Sequence, residues 1–317
     1  MTSTNHADKI AALTATAQGL RFGIEIETFG LGIKAAAKVI ALVVGGHVSR
    51  VGGYYNKHSA VMPDGREWQT MSDASISGRA AAEVVSPILS YSDMGQLQEI
   101  VRSLRKAGAK VNDTTGIHIH IDGAPFLADA KATRNLAKLV NQQEALMIKA
   151  FDADESRITQ WAKSIDDDFV SVLDSMRKPT IAKIREAWYK HNGRPRYISQ
   201  SAIDERTRQR YDGSRYQGMN FHSLFMPNRG TIEFRYFDGT LHAGKIKAYI
   251  QFLLHLCAKG LTAKAAASRK ATVKNQNTKY LFRTFMLRLG LIGDEYKTCR
   301  LHLTKNLSGD SAYSGGR

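Results

Sequence analysis

The sequence predicts an α+β protein, and two kinds of pattern carry that expectation. Several short runs alternate apolar and polar residues at period two, as half-buried strands do, and longer runs repeat apolar residues at helical spacing. The clearest alternating runs are RFGIEIET (Arg21 to Thr28), GIHIHID (Gly116 to Asp122) and TIEFRYFDGT (Thr231 to Thr240).

In chain order, a polar Ala/Thr-rich start is followed by a strand from Arg21 to Thr28 and a helix near Ile33 to Val44. Two or three strands are expected between His47 and Ser86, with Gly45-Gly46 and Gly52-Gly53 flanking a hairpin-like turn. A helix near Met94 to Lys106 precedes the strand Ile117 to Asp122, where Asp122 is expected to bond its own turn. Helical stretches lie between Ala130 and Tyr189, and an irregular basic segment runs to Gln217. Strands near Met219 to Leu224 and Thr231 to Phe237 come next. The Asp238-Gly239 turn then leads to a helix capped by Thr240 or His242 and carrying Ile246, Tyr249, Ile250, Leu253 and Leu254 inward.

With 317 residues, 43% of them hydrophobic, the chain can bury a large core. Nothing in MTSTNHADKI resembles the apolar region of a signal peptide, and no apolar run approaches the roughly 20 residues of a membrane span. A soluble, cytoplasmic protein is expected, with no membrane partner. Cys257 and Cys299 are the only cysteines, too few for a disulfide framework or a zinc knuckle. No GxxxxGK[ST] loop is present, so a P-loop nucleotide site is excluded. The net charge of +16 favours an anionic partner: nucleotide, polyphosphate, acidic polymer or nucleic acid.

Two basic segments stand out. From Trp188 to Tyr216, Arg194, Arg196, Arg206, Arg208, Arg210 and Arg215 alternate with Tyr189, Tyr197, Tyr211 and Tyr216, a composition expected of a loop over a site. From Lys259 to Lys279, Lys264, Arg269, Lys270 and Lys274 occur without an acid and are expected to form a solvated face.

The three alternating strands share one feature. Behind lie Ile24, Ile26, Ile117, Ile119, Ile121, Ile232, Phe234 and Tyr236; in front stand Glu25, Glu27, His118, His120, Asp122, Glu233 and Arg235. A solvated face of any one strand would account for its charges. All three together depart from the Lys, Thr, Ser and Gln that surface strands prefer. On neighbouring strands such side chains lie about 5 to 7 Å apart, the scale of a multi-metal cluster. Oxygen-rich ligands with one or two imidazoles suit Mg²⁺ or Mn²⁺ better than Zn²⁺. Mg²⁺ beside carboxylates and an Arg is the equipment of phosphoryl transfer, which points to ATP.

The ordered pieces FGIEIE (Phe22 to Glu27), Trp68 with Asp73 to Ser75, EVVSP (Glu83 to Pro87), VNDTTGIHIHID (Val111 to Asp122), RYQGMNF (Arg215 to Phe221) and TIEFRYFDGTL (Thr231 to Leu241) resemble the amidoligase family. That family is related to glutamate-cysteine ligase and glutamine synthetase. The resemblance implies a curved antiparallel sheet with helices on its convex face, binding ATP and two or three Mg²⁺ ions on the concave one. It implies a carboxylate-amine ligase that forms an amide or isopeptide bond through an acyl phosphate, from small-molecule or peptide substrates. Residues 1–19 then form a flexible or helical arm, 20–290 the catalytic domain with a helical insertion at about 125–215, and 291–317 an extension with a disordered tail.

Under this reading Glu25, Glu27, Glu83, Glu233 and one of His118 and His120 bind metal, and Arg235 clamps phosphate. The other imidazole, for which His120 is the choice, contacts phosphate or the acyl intermediate, and Asn220 faces substrate or nucleotide. Asp73 and Ser75 either border the site or form an Asx-type turn. A metal-dependent hydrolase built on the HxH strand and a basic nucleic-acid-binding protein are the rival readings; the second leaves the carboxylates unexplained. Oligomeric state is not legible.

Overall fold

The computed structural model describes residues 2–192, 198–271 and 277–312. In order, the elements are α1 (Thr2–Gly19), β1 (Phe22–Thr28), α2 (Ile33–Val44), β2 (His47–Gly52), β3 (Lys57–Val61), β4 (Glu67–Met71), β5 (Ala82–Val85), α3 (Met94–Lys106) and β6 (Gly116–Asp122). Helices α4 (Ala124–Ala128), α5 (Ala130–Phe151), α6 (Glu155–Gln160), α7 (Asp167–Ser175), α8 (Ile181–His191) and α9 (Gln200–Arg208) follow. The chain continues through β7 (Met219–Asn220), α10 (His222–Phe225), β8 (Thr231–Asp238), α11 (Ala243–Thr262), α12 (Thr278–Arg288) and α13 (Lys297–Thr304), with short 3₁₀ turns between. The α+β class expected from the sequence is present.

The chain divides into two compact units, 21–120 with 237–250, and 1–20 with 121–236 and 251–317; the division falls inside β6, β8 and α11.

In the first unit the strands lie in the order β2-β3-β4-β5-β1-β6, and the pairs from β2 to β1 are antiparallel. Four strands therefore fill the region where two or three were expected. Ile24, Ile26, Ala60, Trp68, Val84, Ile117 and Ile119 are buried, as their alternation requires. Helix α2 packs on β2, β3, β4 and α3 through Ala36, Ala37, Ile40, Ala41 and Val44. Gly45 ends α2 in a left-handed conformation, and Gly46 N donates to Ala41 O at 2.8 Å. This glycine pair is thus a helix cap rather than a hairpin flank, while Gly52-Gly53 does lie at the β2–β3 turn, where the register shifts. His242 caps α11: its Nδ1 accepts from Lys245 N at 3.1 Å.

The second unit is largely helical. Helix α5 is its axis, touching α4, α7, α8, α12 and α13. Aromatic side chains fill the space between elements: Phe151 meets Tyr236 and Phe252, and Phe252 meets Phe282 and Phe285. Phe169, Trp188, Phe221 and Phe225 form a second run. Helix α1 buries Leu13 and Ala17, and Gln18 donates to the Tyr296 hydroxyl at 3.1 Å. Near the C-terminus, Lys279 N donates to Ser308 O at 3.0 Å; residues 313–317 of the tail lie outside the described residues.

The strand expected from Met219 to Leu224 stops at Asn220. The cause is local, because Asn220 Oδ1 accepts from His222 N at 2.7 Å and turns the chain into α10. The segment expected as an irregular loop instead contains α9, started by Ser199 Oγ accepting from Ala202 N. Arg206 and Arg215 are engaged locally: Arg206 grips Asp212 at 2.8 and 2.9 Å over the Tyr189 ring, and Arg215 lies over Tyr211 and Tyr216. Arg194, Arg196 and Tyr197 lie outside the described residues. The second basic segment is strapped to α5 by Asn135 Nδ2 donating to Ala263 O and Asn141 Nδ2 to Ser268 O, and Lys270 pairs with Asp167 at 2.6 Å. Lys274 lies outside the described residues.

Candidate active-site residues

Strands β1, β5 and β6 gather five of the expected residues in the first unit. Antiparallel pairing of β1 with β5 sets Glu27 opposite Glu83, so period-two alternation presents both side chains on the same face as Glu25. Strand β6 adds the imidazoles. His118 Nδ1 is 3.0 Å from Glu25 Oε2, His118 Nε2 is 3.9 Å from Glu27 Oε1, and His120 Nε2 is 3.3 Å from Glu25 Oε1. Glu27 is buried, and its Oε2 accepts from Gly116 N at 2.6 Å.

Burial alone would raise the Glu25 carboxyl. The His120 charge and the hydrogen bonds from His118 and His120 outweigh it, holding the group well below the usual carboxylate range. Glu25 is therefore an anion at neutral pH.

A second grouping includes a residue the sequence left between two roles. Glu27, Asp73 and Glu83 each offer an oxygen, and the three oxygens lie within 4.8 Å of one another. Asp73 also forms the expected Asx turn, its Oδ1 accepting from Ser75 N and Oγ at 2.7 Å each. Like charges this close repel unless a cation or protons intervene. The oxygens around a Mg²⁺ ion lie about 3 to 4 Å apart, and hard divalent ions take carboxylate donors, so this set fits Mg²⁺ or Mn²⁺ in both span and chemistry.

Asn220, Glu233 and Arg235 belong to the second unit and bond to one another. Pairing of β7 with β8 places Asn220 opposite Glu233. Asn220 Nδ2 donates to Glu233 Oε2 at 2.7 Å, and Arg235 Nη1 donates to Glu233 Oε1 at 2.6 Å. Arg235 Nε donates to Trp161 O at 3.2 Å, and its guanidinium lies 6.0 Å from the centre of the Tyr216 ring. All three polar side chains are buried, so this strand face is not open to bulk water.

The surroundings fix that group. Gln209 O can only accept from His222 Nε2, at 2.9 Å, so Nδ1 is the acceptor for the Tyr189 hydroxyl at 2.7 Å. Burial pushes the His222 pKa down, consistent with this neutral tautomer. Gly218, just before β7, runs against the Tyr236 ring, and a Cβ there would lie 2.0 Å from a ring carbon.

Two participants carried no sequence signal. Trp161 contributes only a backbone carbonyl to Arg235. Glu144, on α5, accepts from Ile165 N at 3.1 Å and from the Tyr236 hydroxyl at 2.6 Å, and burial pushes its pKa up to about 7. A Glu in the mixed helical run NQQEALM (Asn141 to Met147) gives no local sign that it points inward; only the packing does. Asp122 does what its strand-end position suggested, its Oδ1 accepting from Ala124 N at 3.0 Å.

Among solved structures, a bifunctional glutathione synthetase from Pasteurella multocida is similar at 11% identity and a TM-score of 0.44, with 95% of this chain and 49% of that one covered. The chain thus spans about half the length of that protein. No curated protein matches the chain. Among the described residues no helix is long and apolar enough to cross a membrane. A family model described as "Putative amidoligase enzyme" matches residues 18–257, a span that contains all eight expected site residues. The chain therefore belongs to the amidoligase family.

Proposed function

We propose that the protein is an ATP- and Mg²⁺-dependent carboxylate-amine ligase acting through an acyl phosphate. The observation that carries this reading is the oxygen-rich set Glu27, Asp73 and Glu83, adjoined by Glu25 with His118 and His120. Bound Mg²⁺, or Mn²⁺ in its place, would screen the triphosphate charge and favour transfer of its terminal phosphoryl group. Two or three ions are the number this family reading assigns.

In the proposed reaction a substrate carboxylate oxygen attacks the γ-phosphorus and ADP leaves. The acyl phosphate then loses phosphate to an attacking amine, giving an amide or isopeptide bond. The first step is needed because a carboxylate is a poor electrophile until one oxygen becomes a leaving group. Glu25, Glu27 and Glu83, with His118, are assigned to metal. His120 is assigned to the phosphate or the acyl intermediate. From the sequence pattern, Glu233 is assigned as a further metal ligand, Arg235 as the phosphate clamp and Asn220 as a nucleotide or substrate contact. The same reading includes the curved antiparallel sheet of the glutamine synthetase and glutamate-cysteine ligase type and a cytoplasmic setting, where ATP is available. Small acids, peptides and, given the net charge of +16, acidic polymers are the acceptor classes to try.

The test is ADP release with Mg²⁺ across a matrix of amino acids, glutamyl peptides and polyamines. ADP release that requires both an acid and an amine, and that is lost in Glu25→Gln and Glu83→Gln, is the expected result. Full activity in both variants would overturn the metal assignment.

A further inference from the structure

A cavity of about 590 Å³ in the second unit lies between α8, the end of α4 and the turn Met226 to Gly230 that leads into β8. None of its lining residues is used in the proposed reaction. We infer that this cavity is a binding site for a small organic carboxylate with an apolar body.

Its size is that of a small-molecule pocket. Leu127, Leu224, Phe225, Met226 and Pro227 supply apolar walls, Arg185 and Arg229 are the charged lining residues, and among the described residues no Asp or Glu lines it. The two arginines differ. Arg185 Nη2 is 3.2 Å from Asp204 Oδ1, so its charge is partly compensated. Arg229 is exposed at the tip of the turn, and its side chain makes no ion pair or hydrogen bond among the described residues.

About one cationic charge is therefore left over, which matches a monoanion and undercompensates a phosphate dianion. A planar guanidinium also fits a carboxylate edge with two donors. The frame that presents Arg229 is built in: Met226 N donates to His222 O, Arg229 N to Met226 O, and Gly123 N to Gly230 O at 2.9 Å. A preorganised frame reduces the ordering cost of binding.

The inference is independent of the ligase reading, since binding is read without nucleotide or turnover. The experiment titrates the full chain with 4-phenylbutyrate by calorimetry and NMR, with 4-phenylbutan-1-ol as the neutral isostere and inorganic phosphate as the bare anion. Saturable 4-phenylbutyrate binding is expected, weakened about tenfold or more in Arg229→Ala and in the alcohol, and lost in Leu127→Asp. Leu127 is 38% exposed, so that variant should fold, and circular dichroism checks it. Equal affinity for the alcohol, equal or tighter binding of phosphate, unchanged binding in Arg229→Ala or Leu127→Asp, or no saturable binding up to about 10 mM would each overturn the proposal.

Discussion

Arg235 donates from Nη1 to Glu233 Oε1 at 2.6 Å while both side chains are only about 5% exposed, and Asn220 holds the other carboxylate oxygen at 2.7 Å. Two residues apart on β8, they form a desolvated ion pair with a neutral third partner. Desolvating two charges is costly, and removing one leaves the other stranded.

Arg235→Leu is accordingly expected to destabilise the protein by about 3 to 5 kcal/mol. Urea unfolding measures it. Glu233→Gln should cost less, because Gln still accepts from Asn220 or Arg235. A loss below about 1 kcal/mol for Arg235→Leu would show that water reaches the pair.

Glu144 predicts a pH dependence. Its folded pKa of about 7 exceeds the ordinary 4.5, so the folded protein holds this proton more tightly than the unfolded chain. Its contribution is fully present below pH 4.5 and is lost as pH rises to about 7, with a total on the order of 3 kcal/mol. Glu144→Gln should flatten that part of the stability profile measured by urea unfolding across pH 4 to 8.

The carboxylate set predicts divalent-ion binding in the absence of any substrate. Mn²⁺ titration followed by electron paramagnetic resonance should show affinity falling by about tenfold or more in Glu27→Gln and in Glu83→Gln. Asp73→Asn should weaken binding similarly if its oxygen joins the ligands, and leave it unchanged if Asp73 serves only the Ser75 turn.

Gly218→Ala is expected to destabilise by about 1 to 3 kcal/mol, because the new methyl group overlaps the Tyr236 ring. Thermal unfolding reads the loss. Tyr236→Leu in the same background should recover part of it, despite removing the hydroxyl donated to Glu144.

Much of the polar face of the first unit was legible. Alternation in FGIEIET and GIHIHID placed Glu25, Glu27, His118 and His120 opposite the isoleucines, and that follows from backbone geometry alone. The turn bond of Asp122 and the cap at His242 were legible for the same reason, since each bonds within a few residues of itself. The basic segments were read less well. A run of arginines has the same composition whether it waits for a ligand or stacks on its own tyrosines, as Arg206 and Arg215 do.

By itself the sequence determined which residue types share a strand face, where most strands and helices lie, and the family to which the ordered motifs belong. The tertiary structure decided the rest. Only the pairing of β1 with β5 sets Glu27 opposite Glu83, and only packing buries Glu233 with Arg235 and turns Glu144 inward. The physical reason is range: strand periodicity and capping act over a few residues, whereas strand order and burial depend on partners far apart in the chain, which no local pattern names.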